Sequence, residues 1–93
     1  MTKISGLKVL ITGGSSGIGK ATAKLLISQG AIVAITGRDK KKLEKVAQEI
    51  KAIPIHLDVS KYNSIDVKVL DAFHSMGGMD VLINNAGIGV FGE

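Results

Sequence analysis

The chain has 93 residues, a formal net charge of +4 and no cysteine. This length suits at most one small domain, and the lack of cysteine excludes a disulfide framework or a thiolate metal site. We therefore expect a cytoplasmic protein. No apolar run approaches the ~18 residues of a membrane span, and the first residues lack the apolar core of a signal peptide. With one tyrosine, two phenylalanines and no tryptophan, the positive charge does not indicate a nucleic-acid-binding protein.

The most informative stretch runs from Leu7 to Gly19 and reads Leu-Lys-Val-Leu-Ile-Thr-Gly-Gly-Ser-Ser-Gly-Ile-Gly. Its first six residues are mostly apolar and rich in β-formers, which predicts a short buried strand. Four glycines then lead into a helical pattern. Such a turn brings bare backbone close to an anion, and the helix N-terminus directs free N–H groups at it. The stretch therefore predicts a phosphate-binding loop, although a purely structural turn has the same pattern.

Two helices and a strand follow this loop. Ser15 or Ser16 can cap a helix running to Gln29, and Gly30 is placed to end it. The apolar face of this helix is predicted to comprise Ile18, Ala21, Leu25 and Leu26. Residues 31–36 are apolar on both faces, as in a central parallel strand. Asp39 can cap the next helix, whose apolar residues Leu43, Val46, Ala47 and Ile50 have helical spacing, while Lys40, Lys41 and Lys42 are expected to be solvated.

The remaining residues repeat this alternation. Pro54 is predicted to open a short strand that ends at Asp58, because the start of a strand tolerates a missing N–H. A third helix is predicted to begin between residues 60 and 63 and to end at Gly77. Its apolar face is predicted to comprise Ile65, Val69, Ala72, Phe73 and Met76. Residues 80–84 then form a fourth strand. His56 and His74 have no metal-ligand spacing and are assigned no function.

Alternating strands and helices of this length predict an α/β fold. We expect a partial Rossmann-like parallel sheet of about four strands, in the order 3-2-1-4, with three helices. In this order the apolar fourth strand, with Val81, Leu82 and Ile83, lies at an edge, where natural sheets usually place charge or proline. We therefore expect residues 1–93 to be the incomplete N-terminal part of a domain, prone to edge-to-edge self-association.

Three motifs give the sequence a specific resemblance. Thr12 to Gly19 matches a Thr-Gly-x-x-x-Gly-x-Gly loop, Leu57-Asp58-Val59 ends the third strand, and Asn84-Asn85-Ala86-Gly87 ends the fourth. In this order and at these intervals they resemble the classical short-chain dehydrogenase/reductase family. The resemblance spans essentially the whole chain but only the first part of a family member.

The resemblance implies a nicotinamide dinucleotide site. Residues of the glycine loop would line the pyrophosphate and reach toward the nicotinamide: Gly13, Ser15, Ser16, Gly17, Ile18 and Gly19. Asp58 would accept a hydrogen bond from the adenine amino group, and the Val59 backbone would face the adenine ring. Asn85, Ala86 and Gly87 would wall the site below the adenosine ribose, while Asn84 would brace the strand end. Asp58 can alternatively be only the cap of the third helix.

The end of the second strand favours NADP(H) over NAD(H). NAD-binding folds place an acid about 20 residues past the glycines to hold the ribose 2′-hydroxyl, and NADP-binding folds use an arginine there. This chain has Thr36-Gly37-Arg38, and a guanidinium can bind a phosphate through paired N–H donors. Asp39 is an alternative ribose acceptor, although it is also the predicted helix cap.

The catalytic groups that the resemblance implies are missing from this sequence. Family members use a serine, a Tyr-x-x-x-Lys pair and a further asparagine, all beyond the Asn-Asn-Ala-Gly motif. The one tyrosine, Tyr62, is followed four residues later by Asp66. Three interpretations stay open. The chain is the cofactor-binding portion of an oxidoreductase that acts on a carbonyl or alcohol in full-length form, a stand-alone dinucleotide-binding module, or a non-catalytic remnant.

Overall fold

Four strands alternate with three helices in the described part of the chain. A computed structural model describes residues 3–15, 17–57 and 62–85. The elements are β1 (Lys8–Thr12), α1 (Gly17–Ser28), β2 (Ile32–Gly37), α2 (Lys40–Ile50), β3 (Ile53–His56), α3 (Tyr62–Met76) and β4 (Val81–Asn84). Each helix connects two strands of one sheet, so the chain consists of successive βαβ units.

The sheet has the predicted order, β3-β2-β1-β4. All three strand pairs are parallel, with Ile11 opposite Ile35 in β2 and opposite Ile83 in β4. Strands β2 and β3 are added on one side of β1, and β4 is added on its other side. The strand order therefore reverses at β1, and the carboxyl end of β1 is the switch point of a Rossmann-like fold. The predicted fold class is confirmed.

The two faces of the sheet are covered unequally by the described helices. On one face, α1 and α2 enclose the larger core, made by Val9, Ile11, Ala23, Ala31, Val33, Ile35, Leu43, Val46, Ala47 and Ile50. On the other, α3 covers a smaller core of Leu10, Ala34, Ile55, Ala72 and Met76. Adjacent residues in the middle of β1 and β2 point to opposite cores, which explains why residues 9–11 and 33–35 are apolar on both faces.

The predicted apolar face of α1 is largely wrong, since of its four residues Leu26 alone packs against the larger core. Ile18 is 73% exposed and Leu25 is 57% exposed, and Ala21 is exposed too. The buried residues are Gly19 and Ala23. Position 19 packs against the glycine loop and position 23 against the sheet, so small residues face inward where the backbones approach closely. Large apolar side chains such as Ile18 and Leu25 therefore do not mark the buried face of α1.

The predicted face of α3 is correct only in part. Ala72 and Met76 are buried, and Val69 packs against the smaller core. Phe73, however, is 47% exposed, because it lies about 100° around the helix from Ala72. The side chain of Ile65 lies outside the described residues.

The predictions for Gly30 and Asp39 agree with the structure, whereas the predicted bounds of β3 do not, and the predicted cap of α1 at Ser15 or Ser16 stays a prediction because Ser16 lies outside the described residues. Gly30 has a φ of 94°, the left-handed conformation that ends α1. Asp39 caps α2, since its Oδ1 accepts a hydrogen bond from the Lys42 backbone N–H at 3.2 Å. Strand β3 begins at Ile53 rather than at Pro54 and ends at His56. Pro54 is accommodated because β3 is an edge strand.

Strand β4 forms the other edge of this sheet and is poorly covered. Val81 and Leu82 are both exposed, and only Ile83 packs against the larger core. Leu82 lies beside Leu10 in register, yet α3 buries Leu10 almost fully and leaves Leu82 54% exposed. The predicted exposed, apolar edge is therefore present among the described residues.

Candidate functional site

The candidate site lies at the carboxyl edge of the sheet. Because all four strands are parallel, the residues that follow them meet at this one edge: Gly13 to Ser15 after β1, Arg38 after β2, Leu57 after β3 and Asn85 after β4. Open α/β sheets bind ligands in the crevice outside these strand ends, at the switch point. The site residues predicted from sequence therefore converge through topology.

Thr36 fixes the start of the glycine loop. The Gly13 N–H donates to Thr36 Oγ1 at 3.0 Å, and the Gly14 N–H donates to the Thr36 carbonyl at the same distance. Thr36 is only 2% exposed, and a buried hydroxyl requires such partners. The loop after β1 is thus hydrogen-bonded to the end of strand β2.

Asn85 ties the same loop to the end of β4. Its side-chain Nδ2 donates to the Gly13 carbonyl at 3.1 Å. Gly19, in the first turn of α1, completes this contact. A Cβ at position 19 would lie 2.5 Å from the Gly13 carbonyl oxygen and 2.6 Å from Asn85 Nδ2. Only glycine lets the helix start approach the loop this closely, so Gly13, Gly19 and Asn85 form one packed unit.

Among the described residues, the space beside Gly17 at the N-terminus of α1 is open. Gly17 begins the helix with a φ of 58°, and apart from its chain neighbours no described atom lies within 4 Å of a Cβ built there. Ile18 beside it is exposed, as noted above, and Ser15 is half-buried. A helix N-terminus with free space in front can accept an anionic group, so the residues present fit a phosphate-containing ligand.

The end of β2 carries the only described arginine, Arg38, on the surface. Its neighbour Asp39 has its carboxylate engaged as the α2 cap. On the other side, the Leu57 N–H donates to the Gly37 carbonyl at 3.0 Å. A Cβ on Gly37 would lie 3.1 Å from the Ser15 hydroxyl, so the β2 end also adjoins the glycine loop.

Five predicted site residues lie outside the described part of the structure: Ser16, Asp58, Val59, Ala86 and Gly87. Of the others, Gly13, Gly19 and Asn85 are brought into contact, Gly17 and Ile18 are exposed at the start of α1, Ser15 lies beside Gly37, and Arg38 follows the neighbouring strand. At the end of β1, the Thr12 hydroxyl lies 3.1 Å from Asn84 Oδ1 and 3.4 Å from the Ile83 carbonyl. This placement agrees with a bracing position for Asn84.

Sequence analysis overlooked two residues of the site, Thr36 and His56. Thr36 is a polar residue at the end of an apolar strand, and that contrast was a usable signal because buried hydroxyls need partners. His56 was assigned no function, yet its Nε2 lies 2.8 Å from the Arg38 carbonyl oxygen. No sequence signal points to this contact, which depends on the alignment of β2 with β3.

The fold and the site together define a Rossmann-like α/β protein with a glycine-rich loop at the switch point. Comparison with known proteins is more specific, since residues 7–93 match the family model described as short chain dehydrogenase. The chain therefore belongs to the short-chain dehydrogenase family.

Individual relatives agree with this assignment. An uncharacterized oxidoreductase of Staphylococcus aureus is 39% identical over 92 residues, covering 94% of this chain and 39% of the relative. A glucose 1-dehydrogenase of Gluconobacter oxydans is 41% identical over 91 residues, covering 91% of this chain and 34% of the relative.

A solved structure is similar in fold as well as in sequence. The 3-ketoacyl-(acyl-carrier-protein) reductase of Brucella melitensis, crystallised with NADH, superimposes with a TM-score of 0.79 at 40% identity. The match covers 85% of this chain and 33% of that one. The chain thus spans about a third of the length of the proteins it matches. No helix in the described ranges is long and apolar enough to cross a membrane.

Proposed function

We propose that this chain is the N-terminal, cofactor-binding portion of a cytoplasmic NAD(P)(H)-dependent short-chain oxidoreductase. The observation that carries the proposal is the packed unit of Gly13, Gly19 and Asn85 beside the open N-terminus of α1. It holds the N-terminus of α1, whose first-turn N–H groups have no partner within the helix, at the switch point, where a dinucleotide pyrophosphate would bind. The bound cofactor would supply hydride exchange with a carbonyl or alcohol substrate in the full-length form.

Each predicted residue has a definite part in this proposal. The pyrophosphate would lie against the loop residues and the start of α1, and the exposed Ile18 would contact the cofactor rather than the core. Asn85 would hold the loop in shape through its bond to the Gly13 carbonyl and would adjoin the adenosine ribose. Asp58 and Val59 would contact the adenine, and Ala86 and Gly87 would wall the site beside Asn85.

We propose a preference for NADP(H) on the basis of Arg38. Arg38 follows the end of β2, where an arginine would accommodate an adenosine 2′-phosphate in dinucleotide folds. The competing acid, Asp39, accepts a hydrogen bond from the Lys42 N–H and serves α2, so it is less available to a ribose hydroxyl. The Brucella reductase was crystallised with NADH. NADH and NADPH differ only by the 2′-phosphate, so that observation supports a dinucleotide site in this chain. The proposed preference for NADP(H) depends on Arg38 alone.

The proposal is tested by a charge placed in the open space before α1. Gly17→Asp and Gly17→Asn form a matched pair, because both side chains tolerate the left-handed φ at this position and only the first adds a charge. We expect Asp to weaken NADP⁺ binding about tenfold or more relative to Asn, through repulsion between like charges. Titration calorimetry on both variants and on the unsubstituted chain measures this difference.

The titration also separates the proposal from its alternatives. If Asp and Asn bind NADP⁺ equally, the dinucleotide does not use this opening and the proposed site is wrong. If the unsubstituted chain binds neither NADP⁺ nor NAD⁺, the non-catalytic remnant is the better description. A stand-alone module would bind the dinucleotide as a monodisperse monomer, a property that the exposed β4 edge argues against.

The 93-residue chain by itself is expected to catalyse no hydride transfer. A hydroxyl acts as a useful acid or base at neutral pH only when its pKa is lowered by a neighbour, and Tyr62 lacks the lysine four residues on that family members supply. The assay follows nicotinamide absorbance with NADPH and a panel of carbonyl compounds. Turnover that persists in homogeneous protein would show that another acid–base group is present.

A further inference from the structure

The ends of β2 and β3 hold the Arg38 segment from one side. Gly37 and His56 are paired in register, and the Leu57 N–H donates to the Gly37 carbonyl. The His56 side chain also reaches the residue after Gly37, since its Nε2 lies 2.8 Å from the Arg38 carbonyl oxygen. A carbonyl only accepts hydrogen bonds, so Nε2 must carry the hydrogen and donate it.

The α2 helix holds the same segment from the other side. Asp39 Oδ1 accepts from the Lys42 N–H, and the Asp39 carbonyl accepts from the Leu43 N–H at 2.9 Å. The peptide group between Arg38 and Asp39 is therefore fixed at its carbonyl by His56 and at its far end by the helix cap. Fixing this peptide group restricts rotation of the Arg38 backbone about ψ and so limits the directions that the Arg38 side chain can take.

We propose that His56 is a positioning residue that determines selectivity for the adenosine 2′-phosphate. The proposal rests on the proposed dinucleotide site and extends it. His56 is exposed and contributes nothing to either core, so its hydrogen bond has no role in burial. By orienting the Arg38 backbone, it reduces the number of conformations in which the long guanidinium side chain misses the phosphate. Preorganised donors bind more tightly because less freedom is lost on binding.

Three substitutions test this role. His56→Ala removes the donor, whereas His56→Gln keeps a side-chain N–H that can reach a carbonyl. His74→Ala is the matched control, because His74 is the other histidine of the chain and is also exposed. We expect His56→Ala to weaken NADP⁺ binding about three- to fivefold, because the loss of preorganisation cannot exceed the contribution of one neutral hydrogen bond, and to leave NAD⁺ binding within about twofold. His56→Gln should restore most of the loss, and His74→Ala should change neither affinity.

A spectroscopic measurement checks the contact independently of any ligand. Two-bond nitrogen–proton correlations of the imidazole at about pH 8 should show the Nε2–H tautomer for His56 in the free chain. The Nδ1–H tautomer would overturn the proposal, because that ring cannot donate to the Arg38 carbonyl. Equal losses for NADP⁺ and NAD⁺ in His56→Ala, or no recovery in His56→Gln, would overturn it too. Failure of the unsubstituted chain to bind either dinucleotide would instead refute the proposed function on which it rests.

Discussion

Replacing Arg38 with Asp is expected to reverse the order of affinity, so that NAD⁺ binds more tightly than NADP⁺. The change removes a cation from the site of the 2′-phosphate and places a carboxylate there. A hydrogen bond to a charged group contributes about 1.5–3 kcal/mol, which corresponds to roughly 10- to 100-fold in affinity. The carboxylate also repels the phosphate and can accept from a ribose 2′-hydroxyl. We therefore expect the NADP⁺:NAD⁺ affinity ratio to fall by about 100-fold or more.

Titration calorimetry with the two dinucleotides measures this ratio directly. Lys41→Asp is the matched control, since it makes the same change of charge on an exposed residue of α2 that is three residues away. A general effect of net charge would lower NADP⁺ affinity in both variants, whereas a specific contact predicts the large change only at Arg38. An unchanged ratio in Arg38→Asp would refute the preference for NADP(H), while leaving the loop site in place.

The architecture was predictable because several independent signals agreed at each element. Alternating apolar runs and helical patterns identified four strands and three helices, and Gly30 and Asp39 marked helix boundaries through turn and cap chemistry. Chain connectivity then left few parallel orders to consider. The errors arose where packing rather than pattern decides. Ile18 and Leu25 are apolar and correctly spaced, yet Gly19 and Ala23 face inward because α1 approaches the loop and the sheet too closely for larger residues.

The parts of the site that could be predicted are those where a residue type, such as glycine, indicates a particular kind of contact. Glycines in a strand–turn–helix context indicate close backbone approach, and Gly19 is indeed in contact with the Gly13 carbonyl region. Contacts that depend on the register between strands far apart in sequence are not indicated by any residue pattern. Thr36 bonds to Gly13 across β1 and β2, and His56 bonds to Arg38 across β2 and β3. Either residue could occupy its position in another α/β protein without that role.

Replacing Leu82 with Lys is expected to suppress self-association of the chain while costing little stability. Within the described part of the chain, β4 lies at a sheet edge with Val81 and Leu82 exposed, and an apolar edge of this kind is a template for pairing with a second copy. Position 82 lies near the middle of the strand, so edge-to-edge pairing about a twofold axis would bring the two introduced ammonium groups together. Like charges opposed at an interface cost several kcal/mol, which predicts association weaker by about 100-fold.

The stability cost should be small because the side chain is already 54% exposed. Apolar burial contributes about 25 cal/mol per Å², and a half-exposed leucine has little of it to lose, so we expect a change below about 1 kcal/mol. Leu25→Lys is the matched control, since Leu25 is 57% exposed on α1, away from β4. Sedimentation velocity should show fewer associated species for Leu82→Lys than for Leu25→Lys. A monodisperse, unsubstituted chain whose β4 amides exchange as slowly as those of β1 would contradict the prediction, because β4 would then be a stable edge strand that does not pair with a second copy.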